Sequence, residues 1–481
     1  MNPVILAAVE VLTHIAFVLT LGWYLILNLQ WYSYRLERVV LKHHRRLWHV
    51  TYFLVPFGLY FVLGAWFPLF FPFYFAAFAV WYRRLDKKLV PTWRVKRFFI
   101  LLAGITLFSD FLCLYKGGCG TLPVFLPLLL AWLLSTGIEK FLFMAYRKEA
   151  QRTLARMQEL TVVAVTGSYG KTSMKNFIAQ MLSQRFEVYM TPRSVNTLGG
   201  IIRDINESLP STAQVYVCEA GARQPGDILE IAQLVRPHYA VVGKVGPQHL
   251  EYFGSLENIV RTKLELIRSD RLKQAFVHFG VTDEPHEKVR FFGNEITNLN
   301  ADLEGTSFDL SLDDRTLHIH APVLGAFNAV NIEAAVLVAQ AMGMNAAAIG
   351  KAAGKLEPVE HRLQRIDAGG KIILDDGYNG NIEGMKEGIR LCSLHPGRKV
   401  IVTPGLVEST EELNRELIEA VNAVFDLVIV TGSLNRELFK TYLDVPEAVY
   451  LEDKSTLTAV LGEKTRAGDI IYFANDAPNF I

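Results

Sequence analysis

Seven consecutive residues, Gly167-Ser168-Tyr169-Gly170-Lys171-Thr172-Ser173, carry the densest chemistry in this 481-residue chain. They separate a β-branched run, Thr161–Thr166, from a helical pattern over Lys171–Leu182. The two glycines let the backbone turn so that its N–H groups and a helix N-terminus converge on phosphate. Lys171 would neutralise the terminal phosphates of a nucleoside triphosphate, and the Thr172 hydroxyl would ligate Mg²⁺. The full P-loop pattern has a further glycine at position 165, which is valine here. The weight of the motif therefore comes from its setting between a strand and a helix.

Three further residues suit the same chemistry. Glu219 ends an apolar run, Val215–Cys218, and His249 follows another, Tyr239–Gly243. Helical patterns near Asp227–Val235 and Leu256–Arg268 alternate with these runs, which predicts a parallel sheet covered on both faces. Ligands bind at the carboxyl ends of such strands, where a carboxylate and an imidazole beside a phosphate loop suit a divalent cation. Lys263 falls in the apolar stripe of Leu256, Ile259, Val260 and Ile267. It either snorkels outward or is held partly buried with a lowered pKa. In the second case the neutral amine can take up carbon dioxide as a carbamate, an anionic oxygen ligand for a second metal.

Composition divides the chain. Half of all residues are hydrophobic (51%), and 49 basic residues face 48 acidic ones. That balance excludes a disordered chain and argues against nucleic acid as a partner. Cys113, Cys119, Cys218 and Cys392 lack metal-type spacing and are too few for a disulfide framework. The mean hydropathy of +0.22 points to lipid, and the apolar excess lies before Arg147. Val4–Leu27, Val50–Trp81, Phe98–Tyr115 and Leu122 to about Phe143 are apolar, and basic clusters run from Arg35 to Arg46 and from Arg83 to Arg97. The start does not read as a cleaved signal peptide, since it lacks a basic leader and further apolar segments follow. If both clusters face the cytoplasm, Val50–Trp81 must go out and return, turning near Pro68 or Pro72. That gives about five spans with everything after Arg147 inside; the competing count is four. Glu10, His14, Asp110 and Glu139 fall within or at the ends of these spans, where interface placement or helix-to-helix pairing is expected.

Seven motifs, in order and spacing, resemble the Mur ligases: Val163–Ser173 (VAVTGSYGKTS), Asn196–Ile201 (NTLGGI), Glu219–Ile228 (EAGARQPGDI), Gly246–Leu266 (GPQHLEYFGSLENIVRTKLEL), Leu324–Ala335 (LGAFNAVNIEAA), Glu360–Leu363 (EHRL) and Leu374–Met385 (LDDGYNGNIEGM). Within that family they are most similar to the MurF type, which adds D-alanyl-D-alanine to a UDP-muramoyl tripeptide. The resemblance begins near Leu160. It implies an ATP-dependent carboxylate–amine ligase that forms an acyl phosphate and releases ADP and phosphate. Carried over by motif, residues 167–173 would cradle ATP, Thr172 and Glu219 would serve one Mg²⁺, and His249 and carbamylated Lys263 a second. Asn328 and Asn331 would read the adenine, Arg362 would reach the γ-phosphate, and Asp376 would face the nucleotide. Asn196, Tyr378, Asn379 and Asn381 would lie near the substrates, and Glu360–Leu363 would form a hinge.

Two departures stand out. Phe327 occupies a position that is often histidine in the family, and the family's N-terminal UDP-sugar-binding domain is replaced by the apolar region. The expected architecture is thus an all-α multi-span membrane domain (1–150), an α/β P-loop domain with a parallel sheet and small antiparallel additions (151–358), and a Rossmann-like α/β domain (359–481). The expected activity is a MurF-like, membrane-tethered ligase of peptidoglycan or another cell-envelope precursor, with a lipid-linked carboxylate acceptor and an amino-acid or dipeptide amine donor. A poly-γ-glutamate-type or lipid-linked muropeptide-modifying ligase is the second reading, and a non-catalytic nucleotide-binding membrane scaffold the third.

Overall fold

The computed structural model describes residues 3–475 except 33, 42, 44, 86, 116–120, 247–249, 285, 313–314, 379 and 408. It divides into two compact units, Met1–Ala145 and Tyr146–Ile481. The first unit is helical: α1 (Pro3–Trp31), α2 (Leu36–Leu41), α3 (Leu47–His49), α4 (Val55–Leu63), α5 (Phe67–Arg83), α6 (Trp93–Tyr115) and the start of α7 (Phe125–Arg156). Among the described residues, four helical stretches are long and apolar enough to cross a membrane, and one of them, Leu47–Arg83, has 37 residues.

The stretch from Leu47 to Arg83 contains the run that the five-span count divides in two. It folds back on itself, because the Tyr74 hydroxyl donates to Tyr52 O at 2.9 Å and the Tyr52 and Trp81 rings stack 4.7 Å apart. The reversal sits at Gly64–Trp66, where Gly64 has φ +49°, and not at either proline. Pro68 lies in the first turn of α5, where a missing N–H costs nothing. The returning arm has 17 residues, short of the ~20 that cross a bilayer core. The charged groups pair between helices: His14 Nδ1 lies 2.9 Å from Asp110 Oδ2, and Arg97 Nη2 lies 2.5 Å from Glu139 Oε1. Val62, Phe73 and Trp66 leave 80%, 76% and 71% of their surface exposed, an arrangement at odds with water on that face.

Among the described residues the second unit holds three sheets. The first orders β2 (Val188–Met190), β3 (Val215–Glu219), β1 (Thr161–Thr166), β4 (Tyr239–Val242), β5 (Gln274–His278) and β6 (Val289–Phe292), all parallel. Successive residues of β1 feed opposite cores. Val163 and Val165 pack with Phe177 and Ile332 on one face, and Val162 and Ala164 with Ile201 and Ile231 on the other. The covering helices are α8 (Lys171–Leu182), α9 (Leu198–Glu207), α10 (Asp227–Val235), α11 (Leu250–Phe253), α12 (Leu256–Lys263), α13 (Phe327–Ala341) and α14 (Ala346–Ala353). The small antiparallel sheet joins β7 (Ile296–Ala301), β8 (Thr306–Leu312) and β9 (Arg315–Ala321).

The third sheet orders β10 (Gln364–Ala368), β11 (Lys371–Asp376), β15 (Ile470–Ala474), β12 (Lys399–Thr403), β13 (Leu427–Thr431) and β14 (Glu447–Leu451), parallel apart from β10. Helix α15 (Ile382–Ser393) covers it, and Gly388 lets that helix approach β15. A Cβ on Gly388 would lie 2.3 Å from the Tyr472 ring. Gly388→Ala is therefore expected to destabilise the protein by about 1–3 kcal/mol, read as a lower urea midpoint at unchanged slope.

Candidate active site

The phosphate loop is built as its residue types require. Gly167 and Gly170 hold φ +149° and +74°, conformations that glycine alone adopts without strain. The Ser168 N–H donates to Lys244 O at 2.9 Å and its hydroxyl to Gly246 O at 3.1 Å, which pins the loop to the segment after β4. A Cβ on Gly170 would stand 2.5 Å from Asn331 Oδ1. Gly170→Ala is expected to weaken nucleotide binding at least ~10-fold in calorimetry, because the clash and the positive φ both displace the loop.

At the mouth of the loop, Lys171 donates to Ser168 O at 2.9 Å. Thr172 Oγ1 donates to Glu219 Oε2 at 2.9 Å, and Asn196 Nδ2 donates to Glu219 Oε1 at 2.9 Å. Glu219 is thus fixed by both oxygens at the carboxyl end of β3. Sequence reasoning missed Lys175, which is fully buried one turn beyond Lys171. Its ammonium donates to Thr191 O at 2.7 Å and lies 3.8 Å from Glu219 Oε2. The signal was present as a second lysine at i+4 on the same helix, a spacing that puts both on one face.

Lys171, Thr172, Asn196 and Glu219 line a cavity of about 740 Å³ between the first and third sheets. Residues 168–173, Asn196, Glu219, Asn331, Arg362, Asp376, Tyr378 and Asn381 all reach it. Asn328 does not. It is buried behind Asn331, donates to Leu324 O at 2.7 Å and accepts from Asn331 at 2.8 Å, so it orients its neighbour. Asp376 is held from below: its carboxylate accepts from Leu363 N at 3.0 Å and from the Tyr472 hydroxyl at 3.1 Å. Asn381 accepts from Gly384 N at 2.8 Å as the N-cap of α15. Arg362 Nη1 donates to Tyr378 O at 2.5 Å. His249 and Asn379 lie outside the described residues.

Electrostatics sharpen the picture. Desolvation presses the Lys171 pKa down, and nearby Glu219 opposes the shift. Lys263, at 4% exposure, does not snorkel. Burial, followed by the charge of Lys171, lowers its pKa to about 7, against the pull of Asp227, Glu219 and Glu265. Glu333 on α13 is likewise buried, accepts from Gly293 N at 2.9 Å and is pushed up to about 7 by desolvation. No group of three or more His, Cys, Asp or Glu suited to a metal exists among the described residues. Mg²⁺ is commonly held by one or two protein oxygens together with phosphate and water. Glu219 and Thr172 could supply such oxygens.

The two lobes around the cavity are joined at residues 359–363. His361 and Leu363 hold φ +58° and +51°, a conformation uncommon outside glycine and strained for a branched side chain. His361 Nδ1 pairs with Asp375 Oδ2 at 2.6 Å, which fixes the strand that presents Asp376. Lys244 and Glu383 bridge the lobes at 2.6 Å.

The chain is similar to proteins of known activity. Residues 165–339 match the Mur ligase middle domain. The UDP-N-acetylmuramoyl-tripeptide–D-alanyl-D-alanine ligase of Bacillus subtilis is 29% identical over 349 residues, covering 67% of this chain and 75% of that protein. The same ligase of Escherichia coli is 28% identical over 291 residues, covering 56% and 64%. Among solved structures, MurF ligase from Thermotoga maritima in complex with ADP superposes with a TM-score of 0.60 at 25% identity, covering 69% of this chain and 80% of that one. MurF from Acinetobacter baumannii shares the fold with a TM-score of 0.61 at 22% identity, covering 69% and 77%. The phosphate loop, Glu219 and Asn331 lie in the matched region, so residues 165–339 form a Mur ligase middle domain, and MurF-type ligases are among the homologues of the chain.

Proposed function

We propose that the protein is a MurF-like ATP-dependent amide ligase of a peptidoglycan precursor, tethered to the membrane by its first unit. The observation that carries this reading is the convergence of Lys171, the Thr172–Glu219–Asn196 network and Arg362 on one cavity between two lobes. The scaffold reading leaves that convergence without a purpose, since Lys175 and Glu219 bury charge at a cost that a structural loop does not require.

In this reading the loop N–H groups and Lys171 hold the β- and γ-phosphates of ATP, while Asn331 faces the adenine. Bound Mg²⁺, held by Thr172 and Glu219 with His249 and carbamylated Lys263 serving a second ion, supplies charge neutralisation on the phosphates. Arg362 comes from the second lobe to the γ-phosphate, so residues 359–363 act as a hinge toward a Rossmann-like C-terminal domain. The acceptor carboxylate takes the γ-phosphoryl group and ADP leaves. The amine, placed near Tyr378, Asn379 and Asn381, then attacks the acyl carbon, and phosphate departs with formation of the amide. Closure of the lobes keeps water from the acyl phosphate.

Tethering has its own support. Folding back of Leu47–Arg83 brings Arg45 and Arg46 to the same end as Arg83 and Arg84, as the contact of Trp48 with Trp81 at 5.3 Å requires. Both basic clusters then share one side, the cytoplasmic one by the positive-inside rule. Cys113, near the far end of α6, is disulfide-bonded, in keeping with an oxidising exterior. A membrane-bound ligase gains most from an acceptor already on a lipid. ADP release in detergent, with D-alanyl-D-alanine as amine, is expected to be at least ~10-fold faster on a lipid-linked muropeptide than on a soluble UDP-muramoyl tripeptide. Equal rates would remove the lipid-linked acceptor from the account.

A further inference from the structure

The segment that joins the two lobes holds Arg362 in an unusual frame. His361 and Leu363, on either side of it, both have positive φ, +58° and +51°. Side chains of their size are strained there, and such a backbone persists only where its surroundings enforce it. Two successive carboxylates at the end of β11 do so. His361 Nδ1 donates to Asp375 Oδ2 at 2.6 Å, and Leu363 N donates to Asp376 Oδ1 at 3.0 Å. Asp375 is fully buried, and its other oxygen accepts from Gly377 N at 3.1 Å. Tyr378 completes the clasp: its N–H donates to His361 O at 3.4 Å, and its carbonyl accepts from Arg362 Nη1 at 2.5 Å. The His361 ring stands edge-on to the Tyr378 ring, 5.1 Å away.

A staple between β10 and β11 does not account for this arrangement. Those strands already pair in register from Gln364 with Asp375 to Ala368 with Lys371, and a staple needs no strained backbone. What the frame holds is one guanidinium. Arg362, Asp376 and Tyr378 line the catalytic cavity, whereas His361 and Asp375 stand behind them. Behind desolvation, the charge of Arg362 helps to lower the Lys171 pKa, which puts the guanidinium within electrostatic reach of the phosphate loop.

We propose that His361 is a positioning residue: through Asp375 it locks the backbone around Arg362 and so sets the guanidinium at the γ-phosphate of ATP. The inference deepens the catalytic reading above and rests on it. His361 itself touches neither nucleotide nor substrate.

Calorimetry on the full-length protein in neutral detergent, with the magnesium complexes of AMP-PNP and ADP, separates contacts to the γ-phosphate from the rest. His361→Gly keeps the left-handed backbone and removes the ring; Asp375→Asn keeps the size and removes the charge. Each is expected to weaken AMP-PNP binding at least ~5-fold while ADP affinity stays within about 2-fold. His361→Asn should bring AMP-PNP affinity back to within about 2-fold of the unsubstituted protein, because asparagine tolerates positive φ and its Nδ2 takes the place of Nδ1. Since His361 acts through Arg362, adding His361→Gly to Arg362→Ala should weaken AMP-PNP no further than Arg362→Ala alone. Unchanged AMP-PNP affinity in His361→Gly, equal losses for both nucleotides, or a loss that multiplies with that of Arg362→Ala would overturn the proposal and leave the catalytic reading standing. An unsubstituted protein that binds neither nucleotide would bring down the catalytic reading and this proposal with it.

Discussion

Lys171→Ala is expected to lower ADP release by about 10³-fold while leaving the fold intact. The magnitude follows from removing a preorganised cation at the point where charge develops on the transferring phosphoryl group. Lys171 Nζ sits against Ser168 O in the loop, so it is already in place when the nucleotide arrives and needs no reorganisation. The side chain is not part of either hydrophobic core, and its loss leaves no unpaired carboxylate, since Glu219 keeps Thr172, Asn196 and Lys175. Circular dichroism melts within about a degree or two of the unsubstituted protein, together with near-zero turnover, are the expected pair of results. Arg362→Ala should act on the same step from the opposite lobe, with a loss of about 10³-fold. Turnover that survives Lys171→Ala would mean that the loop does not hold the phosphates.

Lys263→Met is expected to abolish turnover and yet stabilise the protein at neutral pH. The neutral side chain fills similar volume without the desolvation that lowers the amine to about pH 7. The sign follows from proton counting. In carbon-dioxide-free buffer the unfolded chain binds a proton at this site up to about pH 10.5, the native protein only to about pH 7. Across that window the unfolded state holds more protons, so stability rises with pH, by up to ~1.4 kcal/mol per unit from this group. Urea titrations at pH 7 to 10 should show that slope in the unsubstituted protein and lose its share in Lys263→Met. Added bicarbonate should raise turnover of the unsubstituted enzyme, because the carbamate needs the neutral amine, a proton being released as it forms. A slope unchanged by the substitution would show that Lys263 is not the buried amine described here.

Much of the catalytic lobe is legible in the sequence because its signals are local. The TVVAVT run, the paired glycines and the lysine–threonine step fix a strand, a turn and a helix within thirteen residues or so, and β1 and α8 fall where that pattern puts them. Lys263 reads ambiguously, since a helical stripe cannot distinguish a snorkelling lysine from a buried one. The choice is made by α12 packing against α10, which buries the side chain. Asn328 and Asn331 look equivalent at i and i+3 on one helix, and only the third dimension shows one facing the cavity and the other bonding to Leu324 O. In the helical unit, composition gives the apolar runs and the reversal, whereas the turn itself goes to Gly64, which can take a positive φ, rather than to the prolines. Lys175 was overlooked because its partners, Thr191 just after β2 and Glu219 at the end of β3, are brought together only by the sheet.

The most direct measurement is a cryo-EM or crystallographic map of the full-length protein with a non-hydrolysable ATP analogue and magnesium. The expected result is density for a triphosphate along residues 167–173, its terminal phosphates within hydrogen-bond reach of Lys171 and its base against Asn331. An ordered map in which that space stays empty at saturating nucleotide, or in which the analogue binds elsewhere, would contradict it.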